Sequence, residues 1–375
     1  MIEKNRRPDI PFITPLRFLL AFGVMMNHFG GYVSKNYPPL FRILCLGMVR
    51  QAFFFTLSGF LLFYVFSSDS VSSPKTRMRW YKKRFVRIVP VYYIALSLAL
   101  VHYALFKKSQ LSALDVIVGS VLRFAGLHSF FPKYVYEPGV LLASWSLSVE
   151  IVFYLIFPFI ARFAWDWNRK RLVALLLVSI LYSTCASPIT RNLTEDRFGS
   201  SIWYANGLMY VGCFVTGCAI ARLTNLKEAT SPKSAWTFMG VGAILFFVDF
   251  GILFHVWLPS LLIPLIGTAF LLYGSGQLSK LPHPPKTPAL LDFLGNSAYC
   301  LFLFHGPIGS ICNSVFLRAG QRSIHDSPVS LTIYAIISVI TSVLLYKYLE
   351  LPIRARFSAG PNSTSADKPF RAGSR

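Results

Sequence analysis

The sequence predicts an all-α, polytopic integral membrane protein with about ten transmembrane helices. Of its 375 residues, 54% are hydrophobic and only 14% are charged, whereas soluble domains carry about 25% charged residues. The mean hydropathy is +0.53. Apolar runs of about 20 residues, the length that crosses a bilayer, recur along the whole chain. Together these observations exclude a soluble globular class.

The apolar runs define the predicted spans and domains. The spans cover residues 11–31, 44–66, 85–106, 139–163, 171–189, 203–223, 236–255, 257–275, 290–314 and 329–350. The seventh and eighth are the least distinct, because they meet within residues 255–258 and Asp249 interrupts the seventh. We therefore predict one transmembrane domain, 11–355, between a cytoplasmic N-terminus, 1–10, and a Ser/Pro/Gly-rich cytoplasmic tail, 356–375, that is expected to be disordered.

The basic residues predict the orientation. Lys and Arg collect in cytoplasmic loops, and most of the 37 here fall in segments that lie inside if the N-terminus does, above all in the run 75–87. An even number of spans then puts both termini in the cytoplasm. These loops account for the net charge of +22, so the predicted partner is the lipid bilayer and no nucleic acid is expected. The six cysteines show neither zinc spacing nor a disulfide framework, and no metal site is predicted.

The first span contains two polar residues, Arg17 and His28. Eleven residues at about 100° each make roughly three turns, so both side chains share one helix face, about 16 Å apart along the axis. A charge within a bilayer costs at least about 2.5–3.5 kcal/mol, and such a residue normally faces a polar interior. This face would present a fixed cation at one depth and a titratable base at another. The alternative is that Arg17 snorkels to the interface and His28 is interfacial.

Arg84 and Arg87 lie where the third span leaves the cytoplasm. Positions i and i+3 share a helix face, and two guanidinium groups there can bind phosphate through bidentate, charge-assisted hydrogen bonds. The alternative is a positive flank of the span, because Lys82 and Lys83 precede them. Pro90, just downstream, is expected to kink the helix.

The fourth span opens with Ser144-Trp145-Ser146 and continues to Glu150 and Tyr154. Serines and a tryptophan at the mouth of a helix are unusual for lipid-facing sequence. A carboxylate in a span is costly unless it is paired. Glu150 would pair with an arginine or orient His28, and the alternative is a structural ion pair.

Three other segments carry polar or small residues. Ser58-Gly59 in the second span is a small pair that permits close helix approach, and we interpret it as packing. Tyr299 and His305 lie in the ninth span. His305 would either line the cavity or bond a neighbouring helix. Glu350 closes the last span, where an end-of-helix ion pair is the favoured interpretation.

Taken in order, these motifs resemble the membrane acyltransferase-3 family over about residues 10–355. The motifs are Arg17 with ten residues before His28, Phe54 to Phe60 with Leu-Ser-Gly-Phe, Arg84-x-x-Arg87 before Pro90, Trp145 to Glu150 with Phe153-Tyr154, Tyr299 to His305, and Glu350-Leu-Pro352. Two positions depart from the family pattern. Thr14-Pro15-Leu16-Arg17-Phe18 replaces the usual Asp-Gly-Leu-Arg-Gly, and Phe304 replaces a Trp.

The resemblance implies an O-acyltransferase, usually an O-acetyltransferase, in the bacterial inner membrane. It implies cytoplasmic acetyl-CoA or another acyl-CoA as co-substrate, no permanently bound cofactor, and a carbohydrate hydroxyl as acceptor in an exopolysaccharide, O-antigen or related glycan. The implied role of His28 is general base or acyl-carrying nucleophile. Glu150 would orient the imidazole or stabilise its cation. Arg17, Arg84 and Arg87 would bind the donor. The residues expected to line the cavity, with an oxyanion donor among those near 144–146, are Ser144, Trp145, Ser146, Tyr154, Tyr299 and His305.

Two other classes of function remain open from the sequence. Arginines that bind an anion, with an intramembrane His and Glu that relay protons, would also suit a transporter or exporter, although no paired repeat of broken helices is visible. A ligand-sensing membrane protein is the third class. Binding of acetyl-CoA followed by transfer or hydrolysis of its acyl group would distinguish an enzyme from both. The oligomeric state stays open, a homo-oligomer included.

Overall fold

The computed structural model describes residues 10–45, 49–66, 73–106, 112–135, 141–198, 205, 207–226, 230–248 and 261–358. Every regular element within these ranges is helical. The α-helices are α1 Ile13–Phe29, α2 Gly31–Asn36, α3 Pro38–Cys45, α4 Val49–Tyr64, α5 Pro74–Phe106, α6 Ala113–Phe124, α7 Trp145–Ala164, α8 Arg169–Phe198, α9 Val211–Leu226, α10 Pro232–Val248, α11 Leu262–Leu278, α12 Ala289–Arg318, α13 Pro328–Leu345 and α14 Leu351–Ser358. The all-α prediction is therefore confirmed.

Each of the predicted spans contains a helix, and five helices of the described chain are long and apolar enough to cross a membrane. These five are Pro74–Leu105, Trp145–Ala164, Gly207–Leu226, Ala289–Arg318 and Pro328–Phe357, with Leu262–Leu278 as a shorter apolar helix. Their number and composition confirm an all-α membrane protein. The number of ten spans and the cytoplasmic position of both termini stay predictions.

Several boundaries differ from those predicted. Helix α5 begins at Pro74, well before residue 85, because its basic first turns are also helical and the Ser73 hydroxyl accepts a hydrogen bond from the backbone N–H of Thr76, at 3.2 Å. After α13, a single π-turn, Tyr346–Glu350, continues directly into α14. Residues 356–358 are consequently helical rather than disordered.

Other predictions fall outside the described residues. The rest of the tail, 359–375, and the N-terminal residues 1–9 belong to this group. So do residues 249–260, which contain Asp249 and the short connection between the seventh and eighth predicted spans.

Helices α4 and α9 pack unusually closely, through two glycines. A Cβ added at Gly59 would overlap the backbone carbonyl of Phe214, and one added at Gly217 would overlap the carbonyl of Thr56. Small residues let helix backbones approach in this way. The packing interpretation is confirmed for Gly59, and the contact fixes one wall of the interior.

Helices α1 and α12 pack along each other and bring the two intramembrane histidines together. Gly295 of α12 lies against the backbone of Thr14, and Gly309 lies against the ring of Phe29. Neither position has room for a Cβ. The two close approaches set the register in which His28 of α1 faces α12.

Helix α6 occupies the connection between α5 and α7. Its large exposed side chains are Leu114, Ile117, Val121 and Phe124, which follow one another at helical spacing on one face. Such an apolar stripe on a short helix is typical of a segment that lies along a membrane interface.

Candidate functional site

A cavity of about 330 Å3 lies between α1, α4, α5, α7 and α12. Most residues singled out in the sequence line it. They are Arg17, His28, Arg84, Arg87, Trp145, Ser146, Glu150, Tyr154 and Tyr299. The structure thus brings together motifs from four helices that are far apart in the chain.

The arginines of α1 and α5 share this cavity. Arg84 and Arg87 are half-buried and line it, whereas the preceding Lys82 and Lys83 are exposed. The Arg84 guanidinium lies over the ring of Trp80, with its Cζ 5.4 Å from the ring centroid. The two arginines are therefore directed inward, unlike the lysines of the same basic run. Position in the positive flank alone does not explain this difference.

Arg50 of α4 is a lining residue that the sequence analysis did not single out. It is 2% exposed, and its Nη1 donates a hydrogen bond to the carbonyl of Gly23 on α1, at 2.7 Å. An arginine within an apolar run carries the same signal as Arg17. With Arg50, four arginines line the cavity against one carboxylate, Glu150, among the described lining residues. The cavity is strongly cationic.

Glu150 has two hydroxyl partners. Its Oε1 accepts hydrogen bonds from Ser58 Oγ at 2.9 Å and from Tyr154 Oη at 2.6 Å. It also interacts electrostatically with Arg17. The hydrogen bond of the His28 imidazole runs to His305 instead. The expectation that Glu150 orients the imidazole through a hydrogen bond is therefore corrected, while stabilisation of the imidazole cation stays a prediction. Ser58, interpreted from sequence as packing, is a polar lining residue.

His305 lies behind His28, on the side of α12. His28 Nδ1 and His305 Nε2 are 2.9 Å apart, and the ring centroids are 5.1 Å apart. His305 is 2% exposed and is not among the lining residues. His305 therefore bonds a neighbouring helix, as one of the two predicted alternatives states. The prediction that His305 lines the cavity is wrong.

The Ser144-Trp145-Ser146 segment divides between the cavity and the protein interior. Ser144 is buried, and its Oγ lies 3.0 Å from Nε2 of His128, so the cavity-lining prediction is wrong for Ser144. Ser146 lines the cavity, but its hydroxyl donates to the carbonyl of Ala143 at 3.1 Å. Trp145 lines the cavity, and its ring centroid lies 5.8 Å from that of Tyr210.

The remaining predicted residues, Tyr299 and Glu350, have partners within the protein. The hydroxyl of Tyr299 on α12 donates to the carbonyl of Ile88 on α5, at 2.8 Å. Glu350 is 3% exposed and forms an ion pair with Arg354, with Oε1 3.4 Å from Nη1. The end-of-helix ion pair is confirmed.

Fold and cavity together define a class: a multi-pass helical membrane protein whose interior joins a cluster of arginines to a histidine pair. The family model described as "Acyltransferase domain" matches residues 10–347 of this chain. The chain therefore belongs to this acyltransferase family, as the order of its motifs indicated.

Curated relatives are similar over most of the chain at low identity. O-acetyltransferase OatA of Staphylococcus aureus is 22% identical over 375 residues, which cover 95% of this chain and 59% of the relative. Peptidoglycan O-acetyltransferase OatA of Listeria monocytogenes is 23% identical over 368 residues, 93% of this chain and 56% of the relative. Acyltransferase MdmB of Streptomyces mycarofaciens is 26% identical over 227 residues, 57% of each chain. This chain thus spans less than two thirds of the relatives it matches, and no solved structure matches it.

Proposed function

We propose that this protein is an O-acetyltransferase that moves an acetyl group from cytoplasmic acetyl-CoA to a carbohydrate hydroxyl across the bacterial inner membrane. Ten spans with both termini in the cytoplasm complete the proposed topology. One observation carries the proposal: a single cavity holds Arg17, Arg84 and Arg87 together with His28. Family membership supports the acyl-transfer chemistry.

The arginines would bind the phosphate groups of the donor. Guanidinium forks form paired, charge-assisted hydrogen bonds to phosphate oxygens. Arg84 and Arg87 are one helix turn apart on α5, next to the exposed Lys82 and Lys83 that mark its cytoplasmic end in the proposed topology. The long pantetheine arm would then extend along the cavity, past Arg17, and place the thioester near His28.

His28 would act as general base. Imidazole is the side chain whose ordinary pKa of about 6.5 is nearest to neutral pH. In the proposed step, His28 takes the proton of the acceptor hydroxyl while the hydroxyl oxygen attacks the thioester carbonyl. The C–S bond breaks, and the departing CoA thiolate takes the proton from the imidazolium. Transfer of the acetyl group first to the His28 imidazole and then to the hydroxyl is the covalent alternative.

The acceptor would occupy the part of the cavity around His28. Asn27, Gln51 and Trp145 line the cavity, and amide and indole groups suit the hydroxyl-rich surface of a sugar. The relatives named as O-acetyltransferases support a hydroxyl group as the acceptor. One of them is named a peptidoglycan O-acetyltransferase. Cell-wall glycan is therefore a candidate acceptor, together with exopolysaccharide and O-antigen.

The test is acetyl transfer from radiolabelled acetyl-CoA into the glycan fraction of membrane vesicles with an accessible cytoplasmic face. Wild type is compared with His28→Ala and with Arg84→Ala/Arg87→Ala. Matched controls are His283→Ala and Arg171→Ala, which remove exposed side chains of the same types. We expect label in the glycan with wild type and both controls, none with His28→Ala, and recovery of the double variant at high acetyl-CoA. Absence of transfer from any acyl-CoA by folded, abundant wild-type protein would overturn the proposal in favour of a transporter.

A further inference from the structure

We propose that His305 is a positioning residue that fixes the tautomer of His28 and leaves Nε2 of His28 as the basic atom. The inference rests on the proposed function, because it names the residue that prepares the base. His305 does not line the cavity and would not touch the substrate. Its effect would pass entirely through the 2.9 Å contact between its Nε2 and His28 Nδ1.

The direction of the hydrogen bonds follows from the partners of His305. Its Nδ1 lies 2.8 Å from the carbonyl oxygen of Phe302 and 3.2 Å from that of Leu301. Carbonyl oxygens only accept, so Nδ1 must carry a hydrogen. A neutral imidazole has one N–H, and Nε2 of His305 is then an acceptor. It must take its hydrogen from Nδ1 of His28, which leaves the lone pair of His28 on Nε2.

The opposite direction would require a positive charge in an unfavourable place. For His28 Nδ1 to accept, both nitrogens of His305 would have to carry hydrogens. That imidazolium would be buried, since His305 is 2% exposed. Arg50 already places a cation within electrostatic range of both rings. A second, unpaired buried cation beside it is strongly disfavoured.

The surroundings hold the His305 ring and backbone in place. Phe29 of α1 lies edge-on to the ring, with centroids 6.4 Å apart and an interplanar angle of 84°. The buried hydroxyl of Tyr334 on α13 donates to the backbone carbonyl of His305 at 3.0 Å. When His28 takes a proton on Nε2, its Nδ1–H still donates to His305, so one arrangement serves the neutral and the protonated base. This is the part that a buried carboxylate has in a hydrolase triad.

Two substitutions at position 305 separate tautomer control from packing. The amide of Gln reaches the place of imidazole Nε2, and its oxygen can accept from His28 Nδ1–H. The shorter Asn reaches only the place of Nδ1, so it keeps the bond to the Phe302 carbonyl and loses the acceptor for His28. We expect His305→Gln to retain kcat within a few-fold. We expect His305→Asn to lose kcat on the order of 10- to 100-fold, the usual effect of removing a partner that orients a functional histidine. KM for acetyl-CoA should stay within about twofold in both.

A second readout does not depend on activity. Nitrogen-15 NMR of the full-length protein, labelled at the histidine rings, distinguishes the two neutral tautomers, and the His28 signals are those missing from His28→Ala. At about pH 8, where an ordinary imidazole is neutral, His28 should carry its hydrogen on Nδ1 in wild type and His305→Gln. In His305→Asn it should revert to a mixture of tautomers.

The outcomes distinguish this inference from the proposed function. Full acetyl transfer by His28→Ala would overturn the proposed role of His28 as general base. If His28→Ala loses transfer, two results would overturn the positioning role alone. One is a His305→Asn variant as active as wild type. The other is equal impairment of folded His305→Gln and His305→Asn. A wild-type His28 protonated on Nε2 would overturn it as well.

Discussion

The Ser58 hydroxyl of α4 donates to the Glu150 carboxylate of α7 across 2.9 Å, inside a cavity that four arginines also line. Tyr154, one turn further along α7, donates to the same oxygen at 2.6 Å. The carboxylate thus ties two walls of the cavity together and offsets part of the arginine charge. It is a partner of hydroxyls and cations, while the imidazole of His28 has its partner on α12.

Glu150→Gln tests this assignment. The amide keeps the shape of the side chain and can still accept from Ser58, but it removes the negative charge that interacts with Arg17. We expect a loss of stability of about 1–3 kcal/mol, the usual effect when a buried polar network loses a charged member. The pH dependence of transfer should keep its shape, because His28 keeps its own partner. Thermal unfolding of the purified protein and a pH–rate profile check the two parts. A displaced pH profile with unchanged stability would show that Glu150 acts on His28 after all.

Arg84→Lys should be nearly as harmful to donor binding as Arg84→Ala. A lysine keeps the charge but loses the planar fork that binds two phosphate oxygens at once. A charge-assisted hydrogen bond contributes about 1.5–3 kcal/mol, so KM for acetyl-CoA should rise at least about tenfold, with kcat at saturation retained. Initial rates across acetyl-CoA concentrations give both constants. Arg171→Lys, on the exposed face of α8, is the matched control, and a normal KM in Arg84→Lys would mean that charge alone suffices.

Arg50→Met should damage both the fold and the chemistry. The substitution keeps a long apolar stem but removes the hydrogen bond from α4 to the carbonyl of Gly23, five residues before His28 on α1. A hydrogen bond from a charged donor contributes about 1.5–3 kcal/mol. We expect a lower melting temperature and a lower kcat, because α1 carries His28, the proposed base. The same melting temperature as wild type would show that this hydrogen bond adds nothing to stability.

Gly59→Ala should destabilise the protein far more than Gly240→Ala. A Cβ at position 59 overlaps the backbone of α9, whereas a Cβ on Gly240 of α10 has no atom within 4 Å. Forcing one methyl group into close packing costs about 1–3 kcal/mol, while alanine in an uncrowded helix gains about 0.5–1 kcal/mol over glycine. Opposite shifts in thermal unfolding are expected. If both variants melted alike, the α4–α9 contact would be looser than described.

Local patterns in the sequence predict much of the fold and those parts of the site that lie within one helix. Hydropathy located the helices, and helical periodicity put Arg17 and His28 on one face, which the cavity confirms. The same periodicity placed Arg84 and Arg87 together. These are relationships within one helix, where 3.6 residues per turn determine the geometry. Helix α5 began earlier than expected, since lysines and arginines are good helix formers and hydropathy does not register them.

Contacts between helices could not be read in this way. His28 and His305 are 277 residues apart, and Ser58 and Glu150 are 92 apart. Which helix lies beside which is decided by close approaches such as that of Gly295 to Thr14. No periodicity within either segment encodes them. The sequence therefore offers Glu150 of α7 as a candidate partner of the imidazole, whereas the hydrogen bond of His28 runs to α12. Arg50 is visible as an arginine in an apolar run, but nothing local connects it to His28.

Under the proposed function, the excess of guanidinium groups over carboxylates among the described lining residues would make donor binding an ion exchange. A concentration of positive charge at partly buried sites draws small anions from solution. A phosphate-bearing donor would then displace chloride or inorganic phosphate as its own oxygens reach the arginines. The apparent affinity of the donor would follow the anion composition of the cytoplasm. The product CoA, which keeps the phosphates after losing its acetyl group, would compete for the same arginines. Turnover in the cell would accordingly respond to the ratio of acetyl-CoA to free CoA rather than to acetyl-CoA alone.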